Sequence, residues 1–582
     1  MVFPSGFGRS LRPNRWDLIA LPIVLGLVAL IAWASRQMSA PYNPGQPLNA
    51  ISLAWWHLPE YAGRSVMRMA LALVASLIFT FTYATLAAKS ARAEKVLIPV
   101  LDILQSVPIL GFLSITVAGF IALFNGNLIG VECASIFAIF TSQAWNMAFS
   151  FYQSLKTVPR DLAEASSMFG LSPWARFWKL EVPFATPSLI WNMMMSVSGG
   201  WFFVVASEAI TVGRYNVSLP GIGSYVARAI IQKDILAIVW ALLAMLLVIL
   251  AYDQLLFRPL VAWAEKFRLG DTAAQYEPRS WVLDLFRRTR FLRNVAPIPG
   301  VVVGTLTARS RARRANQVSH GGSRRLPGTV RLAARRAMPI VIYAVVAAGT
   351  AWGLWNLISL VAGAVGVRDA LHVLVLGFYT LVRVLVLLAI ASAIWIPVGV
   401  YVGLNARLSV RAQPVAQFLA AFPANLFFPI AVIVMVRFNL TPEIFTAPLM
   451  VLGTQWYILF NVIAGAAAIP IDLREAARTF GLSPWQRWRT LYLPGIFPYL
   501  VTGLLTASGG TWNASIVAEV VSWGNNTLTA SGLGSYIADA TLAQNYGKIV
   551  LGIVVMSIYV VALNHFVWRR LYRLANSRFR LA

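Results

Sequence analysis

The chain has 582 residues, 58% hydrophobic and 12% charged, with a formal charge of +27 and a mean hydropathy of +0.69; soluble domains carry about 25% charged residues. These values exclude a water-soluble globular domain, and the basic residues sit mostly in alternate loops between apolar runs, a topological bias rather than a nucleic-acid surface. Cys133 is the only cysteine and His57, His320, His372 and His565 are scattered, which excludes an intrachain disulfide and argues against metal or redox chemistry.

About 20 apolar residues cross a bilayer as a helix. The first half offers six such runs, near Trp16 to Ser35, Val66 to Ala88, Val107 to Phe124, Ala134 to Tyr152, Ala185 to Glu208 and Ile235 to Phe257, with equivalents from Pro339 to Val567. Arg9, Arg12 and Arg15 before the first run resemble the flank of a signal peptide, but the run is too long for its apolar region and is expected to be a retained helix. The expected fold is an all-α polytopic membrane protein of about twelve spans.

The halves repeat. Glu164-Ala165 and Phe169 to Trp174 recur as Glu475-Ala476 and Phe480 to Trp485 at an offset of 311 residues, and the same offset relates Pro183 to Pro494, Glu208 to Glu519 and Gly221-Ile222-Gly223-Ser224-Tyr225 to Gly532-Leu533-Gly534-Ser535-Tyr536. Upstream, Arg68 matches Arg383 and Pro108 matches Pro423 at a slightly larger offset. An even number of helices per half makes these parallel repeats with pseudo-two-fold symmetry. The expected domains are residues 1–257, a basic linker 258–336 and residues 337–582, with coupling loops at about 155–184 and 466–495. Lys and Arg in short loops place both termini and these loops in the cytoplasm. The linker is expected to be a solvated tether, with anionic lipid headgroups or a partner as the alternative.

Each duplicated loop reads as a short helix from Asp161 to Met168, a glycine cap at Gly170, a Ser172 N-cap and a first-turn Pro173 opening a second helix. Aromatic and basic residues then lead to Pro183, a compact knob tied to the next span. This arrangement resembles the EAA loop of binding-protein-dependent ABC importer permeases. The resemblance implies that Glu164, Ala165, Gly170 and Pro183, with Glu475, Ala476, Gly481 and Pro494, contact an ATPase. Ser166 stands where the family has its second alanine. No G-x-x-x-x-G-K-[ST] occurs, so this chain is expected to bind no nucleotide, with ATP and Mg on the partner. The aromatic-rich fifth runs and the Gly-x-Gly-Ser-Tyr segments are similar to the nitrate, sulfonate and taurine branch. The resemblance implies two ATPase subunits, a periplasmic solute-binding protein, a bacterial inner membrane and a small anionic or zwitterionic solute.

Arg68 and Arg383 lie near the outer ends of the second runs and Glu208 and Glu519 near those of the fifth, where an unpaired charge is costly. Pairing of Arg68 with Glu208 and of Arg383 with Glu519 is expected, closing the periplasmic end, with substrate contact as the sharper alternative. Ser198-Gly199-Gly200 and Ser508-Gly509-Gly510 suit close helix packing. Trp201, Phe202, Phe203, Trp512 and Asn513 are candidates for the solute path. An ion-gradient carrier shares the six-plus-six topology, but the paired loops argue against it.

Overall fold

The computed structural model describes residues 51–124, 128–212, 215–267, 280–288, 348–349, 351–353, 355–356, 358–363, 365–524 and 526–578. The expected first span, most of the linker and part of the run from Pro339 to Leu360 lie outside the described residues.

In the first half, helices α1 (Leu58–Lys89), α2 (Ala91–Ser106), α3 (Ile109–Leu123) and α4 (Leu128–Lys156) lead to the short α5 (Arg160–Met168) and α6 (Pro173–Arg176). Then come α7 (Val182–Glu208), strands β1 (Ala209–Val212) and β2 (Tyr215–Ser218), α8 (Ile222–Gln232), α9 (Ile235–Tyr252), α10 (Arg258–Ala264) and α11 (Trp281–Arg288). The second half runs α12 (Val367–Leu404), α13 (Ala406–Ala421), α14 (Phe428–Arg437), α15 (Pro442–Phe445), α16 (Ala447–Leu452), α17 (Gln455–Ala467), α18 (Ile471–Thr479) and α19 (Pro484–Arg487). It closes with α20 (Leu493–Ala518), β3 (Val520–Trp523), β4 (Asn526–Thr529), α21 (Leu533–Leu542), α22 (Tyr546–Leu563) and α23 (Arg569–Arg578).

Among the described residues seven helical stretches are long and apolar enough to cross a membrane, and nine if each of two bent pairs is one span. The third run is not a complete span. Pro108 holds an extended ψ of 120° and stops α2, leaving α3 with 15 residues, about 22 Å of helix against a hydrocarbon core of about 30 Å. The corresponding helices of the second half meet at 73°, and its fourth run is bent by 45° between Leu452 and Gln455, whereas α4 is continuous. Proline excludes the α region for the residue before it, which is why the break recurs at both copies.

Two antiparallel hairpins were not expected from the sequence. β1 pairs with β2, Ala209 opposite Ser218, and β3 pairs with β4, Val520 opposite Thr529. Each follows a fifth-span helix directly, and its base closes on the last helical carboxylate residue: Leu219 N donates to Glu208 O and Ala530 N to Glu519 O, both at 2.9 Å. Each sixth span starts the same way, after a left-handed residue, Lys233 (φ 57°) or Gln544 (φ 54°). Asp234 or Asn545 then caps the helix through Ala237 N at 3.0 Å or Lys548 N at 3.1 Å.

By internal contacts the chain divides into two units. One comprises residues 1–30, 154–190 and 254–363, the other residues 31–153, 191–253 and 364–582. In the second, α12 packs on α17 and α22, and α17 packs on α20, with Gly399, Gly403 and Gly503 at contacts where an added Cβ would press on Val462, Ile463 O or Tyr457 O.

Candidate functional site

Both coupling segments fold by local rules. After α5, Gly170 takes φ +63°, and after α18, Gly481 takes φ +65°. Leu171 N reaches Ser166 O at 3.1 Å and Gly170 N reaches Ser167 O at 2.9 Å; Leu482 and Gly481 repeat both bonds to Ala477 and Arg478. This pair of bonds is the Schellman stop, which requires the left-handed residue that glycine supplies without strain. Ser172 Oγ then accepts from Ala175 N at 3.2 Å and Ser483 Oγ from Gln486 N at 3.3 Å, each cap contributing about 1 kcal/mol. Gln486 returns the bond to Ser483 N at 2.8 Å, completing a capping box.

Five-residue π turns, Phe177–Glu181 and Trp488–Tyr492, carry α6 into α7 and α19 into α20, so no loop separates the knob from the span. Pro494 stands in the first turn of α20. Glu164, Gly170, Glu475 and Gly481 are exposed, while Ala165, Pro183, Ala476 and Pro494 are half-buried. The tips are apolar: Phe169 is 82% exposed and Phe480, its repeat mate, 81%. The two copies thus present matched exposed aromatic tips.

At the far end of α20, about 39 Å along the helix, lies an ion cluster, and the first half carries its mate. Arg68 is fully buried; its Nε and Nη2 grip both oxygens of Glu132 at 2.6 and 2.7 Å. Its Nη1 donates to Glu208 Oε1 at 2.7 Å and to Pro220 O at 3.0 Å. Ser65 Oγ donates to Glu208 Oε1 at 2.6 Å, and Gly223 N donates to Oε2 at 2.8 Å. In the second half Arg383 Nη1 meets Glu519 Oε1 at 3.3 Å and Ser531 O at 2.8 Å, and Nη2 pairs with Glu443. Thr380 Oγ1 donates to Glu519 Oε1 at 2.8 Å and Gly534 N to Oε2 at 2.6 Å.

The expected Arg–Glu partners therefore lie side by side, and each arginine holds a second acid that sequence reading missed. Glu132 and Glu443 are separated by the same 311 residues as Glu208 and Glu519, and that register was the available signal. Two carboxylates against one guanidinium leave a formal surplus of one negative charge per cluster. The N-terminus of α8 or α21 faces it, since the accepting carboxylate binds that helix's first free amides. This explains the Gly-x-Gly-Ser-Tyr segments: a Cβ on Gly221 or Gly532 would overlap the Glu208 or Glu519 carboxylate. Tyr225 secures the preceding segment. Burial pushes its hydroxyl up to about 12, and it donates to Leu53 O at 2.8 Å.

The clusters differ in access to water. Arg68 and Glu208 side chains are 0% exposed and Glu132 5%, whereas Arg383 is 14% and Glu443 49% exposed.

The path candidates separate. Trp201 and Trp512 are each 1% exposed; Trp201 meets Tyr252 edge-on and Trp512 stacks on Tyr559, both tyrosines being on the sixth spans, so both tryptophans pack between helices. Phe202 and Phe203 are half-buried. Asn513 Oδ1 accepts from Ile109 N at 2.6 Å, crossing between halves, and Phe202, its repeat mate, accepts through its carbonyl from Asn425 Nδ2 at 3.4 Å. Gly200 and Gly510 pack on Gln143 and Thr454.

Comparison with known proteins gives this geometry a family. The family described as "Binding-protein-dependent transport system inner membrane component" matches residues 76–257 and again 395–581. The chain is 34% identical over 199 residues to the bicarbonate transport system permease protein CmpB of Synechococcus elongatus, covering 34% of this chain and 68% of the relative. It is 27% identical over 190 residues to the nitrate import permease protein NrtB of Synechocystis, covering 33% and 66%. To the glycine betaine/proline betaine transport system permease protein ProW of Escherichia coli it is 28% identical over 219 residues, covering 37% and 55%. These matches set aside the ion-gradient carrier. With a matched stretch in each repeat and more than half of its length covered, the chain belongs to the binding-protein-dependent transport permeases, as a membrane subunit of an ABC importer carrying two permease units.

Proposed function

We propose that this chain moves a small anionic or zwitterionic solute across a bacterial inner membrane, with one ATPase subunit seated on each coupling segment and a periplasmic solute-binding protein delivering the cargo. ATP and Mg bind on the ATPases. Both termini, the basic linker and the coupling segments face the cytoplasm. The relatives' names, which speak of bicarbonate, nitrate and betaines, support the solute class.

The observation that carries the coupling role is the duplicated knob: a glycine-stopped helix, an exposed apolar tip and an uninterrupted π turn into a span. In the second half, where knob and cluster lie in one unit, a helical joint of this kind transmits displacement of the knob to the ion cluster at the other end of α20. There the Arg68 and Arg383 clusters hold the periplasmic gate closed until ATP binding draws the knobs together.

Affinity purification of the tagged chain, with and without Gly170→Asp plus Gly481→Asp, followed by mass spectrometry and an ATPase assay, tests the coupling role. The wild type is expected to retain an ATPase and the double variant to lose it. A folded wild-type chain that retains none would refute the assignment.

A further inference from the structure

The fifth helices of the two halves present one corresponding face very differently. On α20, Thr502, Thr506, Gly509 and Asn513 recur at helical spacing and form one stripe. Thr502 and Thr506 are exposed, and nothing approaches within 4 Å of a Cβ built on Gly509. The repeat mates on α7 are Trp191, Met195, Ser198 and Phe202. Trp191 keeps an exposed indole at 43%, but beyond it the face is filled. Met195 packs on a cluster of the second half that includes Ala416, Leu459 and Ile463, and Ser198 is buried.

Two contacts orient these faces. Asn513 reaches Ile109 N, so the outer end of the α20 stripe looks toward the first half. Gly199 lies against the Tyr457 hydroxyl, which occupies the space a Cβ would need, so the α7 face looks toward the second half and is closed by it. The residue corresponding to Tyr457 is Asn146. Its shorter side chain turns to Ser196 of its own half at 3.0 Å and does not repeat the Tyr457 plug. No Asp, Glu, Lys or Arg occurs from Trp191 to Ser207 or anywhere in α20 or α17.

We propose that the solute path is built on the second half alone, along the Thr502, Thr506, Gly509 and Asn513 face of α20. This neutral wall offers the Thr502 and Thr506 hydroxyls, whose protons rest on Pro498 O at 3.1 Å and Thr502 O at 3.0 Å, and selects a small polar solute by hydrogen bonding rather than by a fixed charge, while Met195 and Tyr457 plug the corresponding face of α7. The proposal rests on the importer reading above, and it assigns to Thr502 and Thr506 a specificity role.

The test uses the full transporter in inside-out vesicles with Cys133→Ser, which removes the sole cysteine, and single replacements Thr502→Cys, Thr506→Cys and Met195→Cys. Charged methanethiosulfonates are expected to modify Thr502→Cys and Thr506→Cys at least ~10-fold faster than Met195→Cys, whose reaction waits for a local opening of about 1.4 kcal/mol or more. Anionic and cationic reagents are expected to react within about threefold of each other, as no fixed charge focuses either one. If one threonine variant fails to fold, the other carries the same comparison. Equal rates at all three positions, or no reaction at either threonine position, would overturn the one-sided path. Strong discrimination between the reagents' charges would overturn the neutral wall. Rates that ignore ATP with vanadate, with the positional contrast intact, would instead count against the importer reading and leave the path standing.

Discussion

Replacing Arg68 and Arg383 in turn separates a sealed ion cluster from an open one. Arg68→Met removes four hydrogen bonds and strands Glu132 and Glu208, both buried. Removing one partner of a buried pair costs about 3–5 kcal/mol, chiefly because the remaining charge is uncompensated. Arg383→Met strands Glu519, which keeps Thr380 and the α21 amides. Its other acid, Glu443, is 49% exposed and hydrates, so solvent screening brings the expected loss down to about 1–2 kcal/mol. The assay is thermal unfolding of each variant in lipid nanodiscs, followed by the fluorescence of the 21 tryptophans. Variants are ranked by apparent midpoint, because a chain with many spans does not unfold in two states. Arg68→Met is expected to fall well below Arg383→Met, and Glu132→Gln in the Arg68→Met background to recover part of the loss by removing the stranded charge. Equal losses, or a larger one at Arg383, would refute the claim that burial of the second acid sets the difference.

Gly221→Ala and Gly532→Ala are expected to lower the yield of folded protein severely, because the new Cβ overlaps the buried carboxylate, whereas Gly509→Ala meets open space and leaves the yield unchanged; detergent size-exclusion profiles measure all three. Gly481→Ala also meets open space but must hold φ +65°, so a stability loss of about 1 kcal/mol is expected from backbone strain alone, read as a small drop in midpoint with a larger drop in ATPase stimulation. Ser172→Ala and Ser483→Ala each remove a cap worth about 1 kcal/mol, and their effect is expected to appear as faster hydrogen exchange confined to residues 173–176 and 484–487.

The coupling segments were legible because their structure is set within a few residues. Gly170 and Gly481 stop one helix, Ser172 and Ser483 start the next, and Pro173 and Pro484 fit its first turn. The ion clusters were half legible. The outer ends of the runs located Arg68 with Glu208, but Glu132 lies in another span, and only the repeat register pointed to it. The hairpins escaped because four-residue strands give too short an alternation to register as period two. Gly524, at φ +58° beside the Trp523–Asn526 pair, was the turn signal available. The fates of Trp201 and Trp512 depend on packing against Tyr252 and Tyr559, contacts between separate helices that no local pattern encodes. The same holds for the exposed Thr502 and Thr506 on α20: the sequence shows Asn146 where the repeat has Tyr457, but not that Tyr457 lies against Gly199 or that Asn146 turns to Ser196.

Fusion of the two permease units frees inheritance as well as geometry. In a transporter assembled from two identical copies, every substitution is made twice, so a bulky residue that closes one face must close both, and a change that suits the cargo on one wall is imposed on the other. Here Thr506 and Met195 stand at corresponding positions of two separately encoded repeats. One copy is therefore free to specialise as a scaffold, under selection for volume, while the other drifts with the solute. Change of cargo among descendants of this chain is expected to accumulate at Thr502, Thr506 and Asn513, with positions 195 and 457 constrained by size.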